Sequence, residues 1–153
     1  MKEEAKIYQI KKELEEKKSR LISQLESVNH EINRLQEQCS HSIVFQFDDG
    51  KLHKVGKISL CYCPSCEKKD NIYAFNELKD SCFNNSKIID LSGLEFESYS
   101  DIFKMIQEEV FEHTEYYYNE NISSEQLSET MCKMIKFKMK QNKKFKRIRK
   151  INF

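Results

Sequence analysis

A single proline and three glycines in 153 residues leave little punctuation for turns. That scarcity argues against a sandwich of many short strands and against extended coil, and points to a chain that is mostly regular structure. Long apolar runs are missing as well. No window approaches the roughly 18 apolar residues that a membrane span needs, and the Met1-Lys2-Glu3-Glu4 start carries no apolar stretch of signal-peptide length. A cytoplasmic protein is therefore expected, with no membrane partner. The signatures of catalysis are also absent: there is no glycine-rich phosphate loop, no G-x-S-x-G and no helical pair of histidines four apart. Glu108-Glu109 and Glu112-His113-Thr114-Glu115 supply ionisable groups. One histidine in an acidic helix is an ordinary surface arrangement, however, and no enzyme activity is expected.

What the chain does hold is charge, at 33% of residues against 39% hydrophobic, which suits a modest core carrying long solvated elements. The formal +1 conceals a polar split. Residues 1 to 132 contain all 25 acidic residues and 16 of the 26 basic ones, a net of −9, while residues 133 to 153 contain ten Lys or Arg and no acid. An acidic body with a basic tail is suited to meet phosphate. Lys outnumbers Arg 22 to 4, the pattern AT-rich coding would produce, and nucleotide bias is the competing reading of the lysine density.

Six cysteines in a reducing compartment read as metal ligands or buried thiols rather than disulfides. Cys39 and His41 form a C-x-H pair, and Cys63-Pro64-Ser65-Cys66 forms a knuckle in which a tight turn aims two thiolates at one ion. Pro64, the only proline, presets the backbone at the first turn position. Together Cys39, His41, Cys63 and Cys66 are the expected tetrahedral zinc ligands, with Cys39 and His41 converging because alternate residues of an extended segment share a face. Four protein ligands leave no open position for water, so zinc is expected to act in structure, not catalysis. Cys61 stands near enough to compete with Cys63, His53 lies in the connecting hairpin, and Glu67 occupies a position where many knuckles carry glycine. Cys82 and Cys132 are expected to be buried thiols.

The fold class expected is α+β: a long N-terminal helix, a small zinc-stapled β-hairpin module and C-terminal helices. Residues 1–38 contain no Gly or Pro and read as one helix that forms a coiled coil. Ile7, Leu14, Leu21, Val28 and Leu35 fall at heptad d, and Leu25, Ile32 and Cys39 at a, while Glu4, Lys11 and Lys18 interrupt the a positions. Self-association, parallel or antiparallel, is favoured over packing of the same stripe against the chain's own later helices.

Residues 39–92 form the zinc module, with Ile43, Phe45 and Phe47 on one strand face, a turn at Asp48-Asp49-Gly50, and a return strand over 57–63. Further strands are expected at 71–75 and 87–91. Residues 93–132 form an acidic helical region, with capping starts at Ser98 and at Ser123-x-x-Gln126. Of Tyr116, Tyr117 and Tyr118, at least one is expected to be exposed.

Residues 133–153 form a basic helix or tail in which Lys136, Lys140, Lys143, Lys144, Lys146, Arg147, Arg149 and Lys150 are the candidate nucleic-acid contacts. Lysines on phosphates release counterions, and Phe137 and Phe145 could stack on single-stranded bases. The competing occupant of the tail is the chain's own segment 77–129, which carries 13 acids against three lysines. The helix-plus-knuckle plan resembles, at the level of motif class, coiled-coil zinc-ribbon proteins that act as accessory factors of RNA polymerase. Those proteins have a two-helix arm and four cysteines, so no residue or activity carries over. The function expected is a small non-enzymatic zinc protein docked on a nucleic-acid-associated complex. The alternative is an interaction or inhibitor protein with an acidic binding surface and no direct nucleic-acid contact.

Overall fold

The computed structural model describes residues 2–53, 56–72 and 81–151, with side chains described for all of these except 49–53, 56–58 and 144–151. It is an α+β protein that divides into two compact units, Met1–Cys39 and Ser40–Phe153.

The first unit is helix α1, Lys2–Gln38. Its composition of Glu, Lys, Gln and Leu favours helix at nearly every position, and Glu3 and Glu4 in the first turn complement the helix dipole. Lys11 and Glu15, 3.7 Å apart, add an i,i+4 pair. None of its residues is buried. The d-position residues Ile7, Leu14, Leu21, Val28 and Leu35 are all more than half exposed.

The second unit is built on a four-stranded sheet in the order β3-β2-β1-β4. Strand β1 (Ile43–His53) pairs antiparallel with β2 (Gly56–Tyr62), which pairs antiparallel with β3 (Lys69–Ile72). β4 (Lys87–Asp90) lies parallel to β1 on its other side, with Ile89 opposite Phe45. The turn expected at Asp48-Asp49-Gly50 is overruled. β1 continues through these residues, pairing at Asp48↔Ser59 and resuming at Leu52↔Lys57 after a register shift. Ladder pairing absorbs the turn-forming residues as a bulge, because each further pair satisfies backbone groups that a turn would leave to solvent. β3 also begins earlier than expected, at Lys69, and residues 73–75 of the expected strand lie outside the described residues.

Helices α2 (Tyr99–Glu112), α3 (Thr114–Tyr117) and α4 (Ser124–Ile151) follow. Ser98 takes the extended N-cap conformation of α2 but makes no side-chain cap bond. Ser123 closes a reciprocal capping box ahead of α4: the Gln126 N–H donates to Ser123 Oγ at 3.2 Å, and the Ser123 N–H donates to Gln126 Oε1 at 3.0 Å.

One core joins sheet and helices. Ile43, Phe45 and Phe47 of β1 and Ile89 of β4 pack with Ile102, Ile106 and Val110 of α2 and Leu127, Met131 and Ile135 of α4. Alternation puts the three β1 residues on one face, and spacings of four put each helical set on one stripe. Phe103 stacks on Tyr62 at 4.0 Å and meets the edge of Phe47 at 5.7 Å. Tyr117 is buried while Tyr116 and Tyr118 are exposed. Lys87 ties β4 to the loop before α4, donating to the carbonyls of Asn119 and Ile122 at 3.0 Å each.

Candidate metal centre

The knuckle is the connection between β2 and β3. β2 ends at Tyr62, opposite Lys69 of β3, so the chain must reverse across Cys63–Lys68. Two backbone bonds close that reversal: the Glu67 N–H donates to the Cys63 carbonyl at 2.8 Å, and the Cys63 N–H donates to the Lys68 carbonyl at 2.9 Å. The tight turn requires a left-handed residue after Cys66, and Glu67 takes it, with φ of 60°. A side chain there costs about 1–2 kcal/mol relative to the right-handed region. Glu67 recovers part of this by accepting from Gln107 Nε2 of α2 at 2.7 Å.

Gln107 also donates to the Pro64 carbonyl at 3.2 Å, and Ser65 Oγ lies 2.9 Å from the Tyr118 hydroxyl. The knuckle is thus bolted to α2 and to the end of α3. Nothing in local spacing announces partners 40 and 53 residues away, so neither Gln107 nor Tyr118 could be found from the sequence.

Cys39, His41, Cys63 and Cys66 are brought together, each offering one ligand atom, and these atoms all lie within 4.8 Å of one another. Among the described residues this is the one grouping of three or more potential ligands so arranged. A tetrahedral ion bound at about 2.3 Å by sulfur and about 2.0 Å by nitrogen separates its ligand atoms by roughly 3.5–3.8 Å. Cys66 Sγ and His41 Nδ1 already stand 3.7 Å apart. The cluster therefore fits a tetrahedral metal ion with a contraction of at most about 1 Å at its widest pair.

The way Cys39 and His41 converge differs from the expectation. His41 is not in an extended segment: its φ is 48°, in the left-handed region, and β1 starts two residues later at Ile43. The reversal at His41, not strand alternation, turns the imidazole inward. It is 4% exposed, with its ring edge-on to Phe83 at 5.1 Å. Burial, and then the Lys68 ammonium, hold its pKa below the usual histidine value, which favours the neutral imidazole that can coordinate.

Cys61 is not in the cluster. It is buried in β2, and desolvation, then Asp70 and Cys82, push its thiol up to about 12, so it stays protonated. Cys82 is exposed, against expectation, because the turn at 82–85 gives its inward position to Phe83, which is fully buried. Cys132 is half-buried against the core. The side chain of His53 lies outside the described residues. His113 is exposed at the end of α2, 3.9 Å from Glu109.

Of the basic candidates, Lys136, Lys140 and Lys143 are exposed on α4, and Lys143 lines a groove with Glu95, Glu97 and Asp101. Phe137 stands among them at 62% exposure. Lys133 pairs with Glu129 at 2.6 Å, whereas Lys136, Lys140 and Lys143 make no ion pair among the described residues. The side chains of Lys144, Lys146, Arg147, Arg149 and Lys150, and of Phe145, lie outside the described residues, on backbone that is helical to Ile151. No helix among the described residues is long and apolar enough to cross a membrane. No protein-family model, curated protein or solved structure matches this chain.

Proposed function

We propose that this chain is a non-enzymatic zinc protein that serves as an accessory factor on a nucleic-acid-associated complex. The observation that carries the proposal is the convergence of Cys39, His41, Cys63 and Cys66 within 4.8 Å. Three thiolates and an imidazole in tetrahedral reach suit zinc better than the harder cations, and a full protein ligand set leaves no position for substrate or water. Zinc here contributes structure, on the order of 10 kcal/mol, by holding the knuckle and the segment before β1 to one point.

α1 is the protein-facing element of this reading, since its apolar stripe is exposed along its whole length. The α4 surface bearing Lys136, Phe137, Lys140 and Lys143 is the phosphate-facing one. Cations that are not spent on intramolecular pairs can release counterions from a nucleic acid, and an exposed phenylalanine between them offers a stacking surface.

Native mass spectrometry of the purified protein tests the zinc half: one zinc per chain is expected, lost on Cys63→Ser or Cys66→Ser. Filter binding to single-stranded RNA and to duplex DNA across a salt series tests the other half. A linear fall in log affinity with log salt is expected. The Lys136→Gln, Lys140→Gln, Lys143→Gln triple variant should flatten that slope by about one per lysine. A wild-type chain that binds neither nucleic acid at low salt returns the function to the acidic surface, with exposed Glu95, Glu97, Asp101 and Glu108 as the contacts for a basic partner.

A further inference from the structure

The exposed stripe of α1 carries more than a statement that something covers it. Ile7, Leu14, Leu21, Val28 and Leu35 at d, and Leu25 and Ile32 at a, are 44–62% exposed. An unbroken apolar d row, joined by apolar a residues from Leu21 onward, on a helix with no buried residue marks an interface. The polar residues interrupting that seam decide the partner. Glu4, Lys11 and Lys18 occupy a in its N-terminal half, whereas every d position is apolar from end to end.

A parallel, in-register pair would set Glu4 against Glu4, Lys11 against Lys11 and Lys18 against Lys18. It would also place Glu3 beside the first of these layers and Lys17 beside the last, giving four lysines in one layer. An antiparallel pair of the same helix takes each of these like-charged residues out of a shared layer, and only the two Lys18 residues stay near one another, in adjacent central layers. In antiparallel coils each a residue meets a d residue of the partner. With Ile7 facing Ile32 and Leu14 facing Leu25, Glu4 falls on Leu35, Lys11 on Val28 and Lys18 on Leu21. The flanking e residues beside the three charges are then Gln36, Asn29 and Ile22, none of them charged. Lys and Glu stems can lie along these apolar partners while their heads reach water. A helix whose charged a residues each meet an apolar d residue of a reversed copy is complementary to itself in that orientation.

We propose that α1 is a homodimerisation helix and that two copies of this chain pair through it in antiparallel orientation, centred between Ser19 and Arg20. This deepens the reading of α1 as the protein-facing element and is independent of the zinc and of the basic surface.

The test uses the full-length, zinc-loaded chain. Sedimentation equilibrium is expected to give a dimer at tens of micromolar. Cross-linking a mixture of Leu14→Cys and Leu25→Cys chains with a short thiol reagent, with products mapped by peptide mass spectrometry, is expected to join position 14 to position 25. Links from 14 to 14 or from 25 to 25 overturn the orientation. A monomer overturns the proposal, whether α1 is then solvated or taken by a helix of another protein. Asn29→Glu and Asn29→Lys keep the test open if cysteine variants fold poorly. Position 29 flanks Lys11 of the partner only in the antiparallel pair, so the Glu variant should tighten the dimer a few-fold and the Lys variant should loosen it by a similar factor. Equal effects of the two substitutions overturn the register. Zinc stoichiometry in the same samples separates failure of this interface from failure of the metal site.

Discussion

The two units solve the problem of apolar surface in opposite ways. In Ser40–Phe153 the apolar residues of β1, α2 and α4 find one another within the chain, and Phe45, Phe47, Ile89, Ile106, Met131 and Ile135 are completely buried. In Met1–Cys39 an equally regular stripe of Leu, Ile and Val remains exposed. The lesson is that periodicity identifies a surface that must be covered without saying what covers it. In the larger unit the cover is the rest of the fold. In α1 the charges that interrupt the stripe carry the answer, because packing of an amphipathic face contributes most of a helix's stability in a protein and those charges decide which face fits.

The sharpest break between the units is expected on metal removal. A chelator, or Cys63→Ser, should abolish the thermal transition of the larger unit or lower its Tm by tens of degrees, since a contribution on the order of 10 kcal/mol approaches the whole stability of a small domain. Near-ultraviolet circular dichroism should report it through Tyr62 and the aromatic cluster around Phe103. An unchanged melting curve after verified metal loss would show that the Phe45–Ile135 core suffices alone and that the cluster has another purpose.

Leu25→Asn tests the other side of the comparison. An amide replacing leucine at the seam, opposite Leu14 of a second copy, should weaken association at least tenfold by sedimentation. The same substitution should leave the thermal transition of the larger unit within about 0.5 kcal/mol of wild type, because Leu25 is 60% exposed in the single chain. A substantial fall in that transition would mean that the stripe is covered by the chain's own core.

How far these features were legible in the residues follows from the range of the interactions that set them. The capping box at Ser123–Gln126 and the two-thiol knuckle at Cys63–Cys66 are local devices, and both could be read directly. The α+β class followed from the change in apolar period after Gln38. Asp48-Asp49-Gly50 misled because turn chemistry is local while the ladder that overrides it runs on to Leu52 and Lys57. Cys82 and Phe83 are neighbours competing for one inward position, and a pattern alone does not say which wins. The parallel placement of β4 beside β1 and the bonds from Gln107 and Tyr118 to the knuckle join residues 40 or more positions apart, beyond any spacing rule.

The smallest expected effect is at Glu67, and its sign carries the information. Glycine in place of alanine normally costs about 0.5–1 kcal/mol through the entropy of the unfolded chain. At Glu67 both substitutions lose the bond from Gln107, so that loss cancels between them. What remains is the left-handed backbone at φ 60°, which alanine must adopt at a cost of about 1–2 kcal/mol and glycine adopts without one. Glu67→Gly should therefore be more stable than Glu67→Ala by up to about 1.5 kcal/mol, inverting the usual order. Thermal unfolding of the zinc-loaded protein measures the difference. If alanine proves the more stable, Glu67 is not held left-handed in solution, and the reversal that aims Cys63 and Cys66 at a common ion must close in some other way.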